Sequence, residues 1–265
     1  MTAPTWDPEQ YLRHADHRTR PFRDLLARLD APPTARIADL GCGAGNVTAL
    51  LGERWPGARI TGYDSSPQML EEARRYAGPR LDFAPADAAT WVPEETYDVI
   101  VSNALLQWVP GHADRFGIWL DALTPGGTLA FQVPGNFTAP SHTILAELRE
   151  SPRWRPLLHG VGDRTAGVLE PAEYLSRLTT LGCEGVDVWE TTYLQVLTGR
   201  DPVLDWVKGT ALRPVLTALA DAPAERDAFI ARYAEALRDA YPPGPHGTVF
   251  PFRRIFAVAR KPRVG

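Results

Sequence analysis

Two hydrophobic rhythms alternate along this chain: short apolar runs that end in a polar or acidic residue, and longer segments with apolar residues at helical spacing. The first run, residues 36–40, ends around Asp39 and meets a glycine-rich loop, after which Val47, Leu50 and Leu51 recur at helical spacing. The second, residues 59–63, ends at Asp64. Ser66 and Pro67 then read as the N-cap and first residue of a helix carrying Met69, Leu70 and Ala73. Residues 81–84 make a third short strand, followed by Asp87. Residues 97–101 are apolar apart from Asp98, as expected for a strand buried on both faces, and end at Ser102-Asn103. A helix through Phe116, Trp119, Leu120 and Leu123 follows, then a turn at Pro125-Gly126-Gly127 and a fifth strand at 128–133. This alternation predicts an α/β fold: an open, mostly parallel sheet with helices on both faces.

The flanking segments read differently. Residues 1–20 are polar with interleaved aromatics, an extended arm or short helix, and Pro21 is placed to open a helix through Phe22, Leu25, Leu26 and Leu29 that Ala31-Pro32-Pro33 stops. Residues 186–194 alternate as a strand, two amphipathic helical stretches cover 203–219 and 224–241, and 255–259 is a terminal strand. The late strands are expected to pair at the sheet edge, making seven strands with a helical lid insertion. The expected organisation is a single domain over 1–265. It has an N-terminal arm and helix (1–30), a cofactor-binding core (35–135), and helical cap segments on the substrate side (137–182 and 200–245).

Composition narrows the function. With 265 residues and 44% hydrophobic content, the chain can bury a large core without staples. A net charge of −4 argues against a nucleic-acid footprint. The two cysteines, Cys42 and Cys183, form no CxxC pair, so neither a zinc site nor a disulfide framework is expected. No apolar run reaches membrane-spanning length, and a soluble cytoplasmic protein without membrane partners is expected.

The candidate chemistry begins at Asp39-Leu40-Gly41-Cys42-Gly43-Ala44-Gly45. Glycines between a strand and a helix permit positive φ and close approach of a ligand to backbone. Asn46 stands three after Gly43, which breaks the dinucleotide pattern, and the Lys-Ser/Thr of a phosphate-binding Walker loop is absent. Asp64 at the next strand end is either a turn residue or an acceptor for ribose hydroxyls; its pairing with the glycine loop favours ribose.

These segments resemble the first two motifs of class I S-adenosylmethionine-dependent methyltransferases. Pro85-Ala86-Asp87-Ala88 resembles their adenine loop, and Tyr97 to Asn103 their fourth strand. The resemblance implies a Rossmann-like class I methyltransferase fold with S-adenosylmethionine as cofactor and S-adenosylhomocysteine as product. It also implies a cofactor site of Asp39, Gly41, Cys42, Gly43, Asp64, Ser65, Met69, Asp87, Ala88 and Asn103. For Met69, simple core packing is an equal alternative.

Other segments resemble the trans-aconitate methyltransferase family: Trp6-Asp7-Pro8, Arg18 to Pro21, Asn103 to Trp108, Gln132 to Asn136, Glu190 to Tyr193, Asp205 to Pro214 and Phe252 to Phe256. That resemblance implies methyl esterification of a small polycarboxylate, an anionic small-molecule partner. A carboxylate is already ionised at neutral pH, so no general base, and no catalytic residue as such, is required. It does need cations. The candidates are Arg18, Arg20, Arg213, Arg253 and Arg254, with Gln107, Trp108 and Tyr193 as pocket walls. Solvated arginines and simple helix-start packing of Gln107-Trp108 are the alternatives. A methyltransferase acting on the oxygen or nitrogen of another small molecule, and a non-catalytic cofactor-binding protein, remain competing readings.

Overall fold

Apolar residues on both faces of the central strands fix the centre of the molecule. The computed structural model describes residues 15–162 and 167–263, with side chains from Thr19 onward. The strands are β1 (Arg36–Leu40), β2 (Arg59–Asp64), β3 (Leu81–Pro85), β4 (Tyr97–Asn103), β5 (Leu123–Pro134), β6 (Glu184–Leu197), β7 (Pro243–Gly244) and β8 (Gly247–Arg260). The helices are α1 (Ala15–Leu26), α2 (Thr48–Arg54), α3 (Pro67–Ala73), α4 (Phe116–Asp121), α5 (Pro140–Glu150), α6 (Arg155–Leu158), α7 (Pro171–Thr180), α8 (Pro202–Lys208), α9 (Arg213–Ala218) and α10 (Pro223–Ala240).

Seven strands run in the order β3-β2-β1-β4-β5-β8-β6, and the two-residue β7 pairs with the start of β8. β1 to β5 are parallel neighbours, whereas β8 lies antiparallel to β5. The chain winds outward in opposite directions from β1 and β4. Such a reversal opens a crevice beyond the carboxyl ends of the strands, the usual ligand position in open α/β sheets.

The described residues fall into two compact units. One holds the described residues of 15–134, 167–191 and 254–263. Its core places Ala38, Leu40, Ile100, Phe131, Val133, Ile255 and Ala257 against Phe116 and Trp119 of α4 and Tyr174 and Leu178 of α7. Side chains alternate along a strand, so Asp39, Val101, Asn103, Gln132 and Arg254 belong to the opposite face. There Thr48 of α2 donates a 2.7 Å hydrogen bond to the Asp39 carboxylate. Helices therefore cover both faces, as expected.

The other unit holds residues 135–162 and 192–253. Its own core joins α5, α6, α8, α9 and α10 through Leu145, Trp154, Val207, Val215, Phe229 and Tyr233, with Phe250 and Phe252 of β8. Residues 137–182 are thus divided: α5 and α6 lie in this unit and α7 in the sheet-bearing one.

Four local expectations change. Pro21 lies inside α1 rather than at its start; its fixed φ is compatible with a helix, and the cost is one missing backbone hydrogen bond. Leu123 opens β5 instead of closing α4. The Pro125-Gly126-Gly127 turn becomes an irregularity within β5, where pairing jumps from Tyr97↔Leu123 to Val99↔Thr128. The stretch 203–219 is two helices, α8 and α9, because Pro214 lacks the N–H that a continuous helix would use and instead sits in the first turn of α9.

Candidate active site

At the carboxyl end of β1 the chain must turn away from the sheet within a few residues. Gly41, Gly43 and Gly45 make that turn with φ of +76°, +55° and +79°, a region side chains disfavour. The N–H groups of Gly41 and Cys42 both donate to the Tyr63 carbonyl, at 2.8 and 3.0 Å, which ties the loop to the end of β2. Each glycine answers to a different neighbour. A Cβ on Gly41 would lie 2.7 Å from Leu105 Cβ, and one on Gly45 would lie 2.9 Å from both Ala73 Cβ and Phe83 Cζ. A Cβ on Gly43 would meet nothing within 4 Å. Gly41 and Gly45 are packing requirements, whereas Gly43 faces open space.

Asp64 closes this loop from β2. Its Oδ2 accepts from Gly43 N at 2.9 Å and its Oδ1 from Ser66 N at 2.8 Å. Burial pushes its carboxyl above the ordinary range, against the opposing pull of the backbone N–H groups of Ser66, Gly43 and Ser65. Ser66 caps α3 as expected, accepting from Met69 N at 3.3 Å. Ser65 is exposed, and Met69 is buried as a core residue would be.

Asp39 is fully buried, and burial lifts its carboxyl from 3.8 to about 7; Asp64 nearby adds to the rise and the Thr48 hydroxyl opposes it. Its Oδ1 has no hydrogen-bond partner. Burial also pushes the Cys42 thiol up, with Asp39 and Asp64 adding to it, so this sulfur stays protonated and is no nucleophile. Asp87 is exposed and accepts from Ala89 N at 2.9 Å, beside the buried Ala88.

Asn103 ends β4, is buried, and has an Oδ1 without a hydrogen-bond partner. Ala104 after it adopts φ +55°, the one positive φ of a non-glycine among the described residues. Such conformations persist where the surroundings over-determine them. Here Ala104 N donates to Gln132 O at 2.8 Å, and Gln107 Nε2 donates to Ala104 O at 2.6 Å. Gln107 is thereby a brace for the loop after β4, and Trp108 is half-buried beside it on the same 3₁₀ turn.

The arginines separate clearly. Arg254 is 6% exposed on β8, and a guanidinium N–H donates to Gln132 Oε1 at 3.3 Å. Arg253 donates to the Gly135 carbonyl at 3.1 Å in the other unit. Arg20 is exposed, and the Arg18 side chain lies outside the described residues. Arg213, half-buried at the start of α9, and the buried Tyr193 belong to the helical unit. The sheet-bearing unit thus brings together Asp39, Gly41, Cys42, Gly43, Asp64 and Asn103, with Gln107, Trp108 and Arg254 on neighbouring elements. Sequence reasoning missed Thr48 as the partner of Asp39, and it assigned no role to Gln132. A hydroxyl at the first residue of the helix after the loop was the available signal for Thr48.

A family model described as a methyltransferase domain matches residues 37–127. A curated trans-aconitate 2-methyltransferase of Streptomyces coelicolor is 65% identical over 98% of this chain and 88% of its own length. One of Rhodococcus jostii is 51% identical over 96% of this chain and 99% of its own length. Among solved structures, a putative methyltransferase from Bacillus halodurans aligns with a TM-score of 0.58 at 15% identity, covering 91% of this chain and 98% of that one. A Haemonchus contortus phosphoethanolamine N-methyltransferase 2 in complex with S-adenosyl-L-methionine aligns at 0.56 and 19% identity, over 92% of this chain and 53% of that one, a likeness of fold alone. By its identity to curated relatives over nearly its whole length, the chain belongs to the trans-aconitate 2-methyltransferase family.

Proposed function

We propose that this chain transfers a methyl group from S-adenosylmethionine to one carboxylate of trans-aconitate, giving a monomethyl ester. The observation that carries this reading is the 65% identity over 98% of the chain to a relative of that name. The glycine loop and the strand ends fit the cofactor. Gly43 leaves open space beside its backbone, the Asp64 carboxylate stands at the end of β2 for ribose hydroxyls, and the carboxyl groups of Asp39 and Asp64 favour a cationic ligand. Asp87 and Ala88 are the candidate adenine contacts. When bound, the cofactor supplies an electrophilic methyl on a sulfonium that departs as a neutral thioether while an acceptor oxygen gains the methyl.

The chain's own residues have a positioning task. An acceptor carboxylate enters ionised, so no proton has to move. What accelerates such a transfer is holding the oxygen in line and excluding water. The buried Arg254 supplies positive charge on the face that carries Asp39 and Asn103. Arg213, Tyr193, Trp108 and Gln107 are the further candidates for acceptor recognition from the family resemblance. His112, at the start of the 3₁₀ turn 112–115, is not a poised base. Its Nε2 lies 2.8 Å from the Tyr174 hydroxyl and its Nδ1 3.2 Å from the Val109 carbonyl, and burial lowers its affinity for a proton. A hydroxyl or amine acceptor would have to lose a proton, and His112 is not placed to take it. Two free cysteines fit a reducing, cytoplasmic setting.

The test is mass spectrometry of the protein with S-adenosylmethionine and separate di- and tricarboxylates. One added methyl on trans-aconitate, with a rate flat from about pH 6 to 9 as expected for an ionised nucleophile, supports the reading. No methylated acid from any of them, with the cofactor still bound, refutes it.

A further inference from the structure

Four polar side chains cross one face of the sheet on adjacent strands: Asp39 on β1, Asn103 on β4, Gln132 on β5 and Arg254 on β8. Asn103 and Gln132 are register partners, and Arg254 pairs with Pro134, two residues beyond Gln132 on the same face. All four are nine-tenths buried or more. Along this line the character changes in order: carboxyl, amide, amide, guanidinium.

The Gln132 amide has a defined orientation. A guanidinium can only donate, so the oxygen of Gln132 must face Arg254, as the 3.3 Å contact records. Its Nε2 is then left as a donor on the other side, and that buried atom has no hydrogen-bond partner. The Oδ1 of Asn103, on the neighbouring strand, is a buried acceptor without a partner, and so is the Oδ1 of Asp39. Asn103 and Gln132 do not satisfy one another although donor and acceptor stand in register. An unmet buried polar atom is costly unless a ligand completes it. Oxygens are unmet on the β1 and β4 side, and an N–H is unmet beside the arginine. That polarity matches a cationic methyl donor on the glycine-loop side and an anionic acceptor on the Arg254 side.

We infer that Gln132 recognises the acceptor: its Nε2 donates to an acceptor carboxylate that Arg254 also binds, while its Oε1 holds the arginine in place. This rests on the carboxylate-esterification reading above and adds to it the residue that separates anion from cation on this face.

The test compares wild type with Gln132→Met, which keeps the length and removes both polar atoms, and Gln132→Glu, which keeps an oxygen for Arg254 and replaces the donor by a second oxygen. Two quantities are read for each: the trans-aconitate KM in turnover, and the calorimetric affinity of trans-aconitate for protein saturated with S-adenosylhomocysteine. Losing a hydrogen bond to a charged group predicts a loss of about 10- to 100-fold in acceptor affinity for Gln132→Met, and a larger loss for Gln132→Glu. The affinity for S-adenosylhomocysteine should stay at the wild-type value, whatever stability is lost with the buried hydrogen bond to Arg254. Wild-type turnover with unchanged acceptor affinity in both variants overturns the inference and leaves the proposed reaction standing. So does a Gln132→Glu protein that binds the acceptor like wild type, since Gln132 would then only hold Arg254. A wild-type protein that binds S-adenosylhomocysteine but neither binds nor methylates trans-aconitate overturns the proposed reaction and this inference with it.

Discussion

Replacing Gly43 and Gly45 by alanine separates what the loop does for the fold from what it does for the ligand. Both sit at positive φ, +55° and +79°. An L-residue held in the left-handed region costs roughly 1–2 kcal/mol, and both variants carry that cost. Only Gly45→Ala adds a collision, because its Cβ would stand 2.9 Å from Ala73 Cβ and Phe83 Cζ and 3.0 Å from the Ala73 backbone. A forced methyl in a packed region costs about 1–3 kcal/mol more. Gly45→Ala should therefore lose ~2–5 kcal/mol of stability, and Gly43→Ala only ~1–2 kcal/mol. Cofactor affinity should move the other way. The Gly43 methyl enters the open space in which a ligand would lie against the backbone, and the same overpacking cost weakens binding by about 10- to 100-fold. The Gly43 N–H to Asp64 survives the change, so the loss reports on contact with the ligand rather than on the loop's closure. Urea unfolding of the free protein gives the first quantity, and calorimetric titration with S-adenosylhomocysteine gives the second. Wild-type affinity in Gly43→Ala would show that the ligand does not lie against this residue. Equal stability losses would show that the Gly45 neighbours give way freely.

Three further outcomes follow from the proposed roles. Asp64→Ala should weaken cofactor binding about 10- to 100-fold, as expected for losing hydrogen bonds to a charged acceptor; unchanged calorimetric affinity would remove Asp64 from the site. Asp39 binds its proton more tightly when folded than when unfolded, since burial lifts it from 3.8 to about 7. The stability it contributes is full below the unfolded value and is lost as the pH rises through about 7, by an amount on the order of 4 kcal/mol. Asp39→Asn should flatten that slope in unfolding curves of the free protein between about pH 4 and 7, and a slope identical to wild type would refute the assignment. Arg213→Ala should raise the acceptor's KM about 10-fold or more while leaving S-adenosylhomocysteine affinity alone; a fall in cofactor affinity instead would contradict its assignment to the acceptor.

What could be read from the sequence was what local chemistry decides. Ile37-Ala38 and the run from Val99 to Val101 are buried on both faces, and consecutive apolar residues announce that directly. Ser66-Pro67 predicted a capped helix start, and Ser66 does accept from Met69 N. Tertiary context hid the rest. Leu123 fits a helix by spacing, yet pairing with Tyr97 draws it into β5. Ala104 carries nothing that announces a positive φ; its conformation depends on Gln132 and Gln107, three and more residues away. The three glycines of the loop are equivalent letters in a motif, and only the structure shows that Leu105, open space, and Ala73 with Phe83 stand opposite them in turn.

The same distinction explains why the proposed acceptor side is harder to assign than the proposed cofactor side. The cofactor side is built from one contiguous loop and the strand end beside it, so its residues arrive together in the sequence with Gly43 and Asp64 hydrogen-bonded across the turn. The acceptor side depends on which residues of separate strands share a face. Gln132 and Arg254 are 122 positions apart and meet only because β8 runs back alongside β5. An arginine alone is an ambiguous letter in a chain with 28 lysines and arginines. Arg254 becomes a strong candidate because it is buried, held by an amide oxygen, and set on the face that also carries Asp39 and Asn103. Desolvation strengthens its attraction for an anionic oxygen. A face that holds buried oxygens at one end and a buried cation at the other is therefore suited to two ligands of opposite charge side by side. An ionised acceptor meeting a sulfonium donor requires such a face.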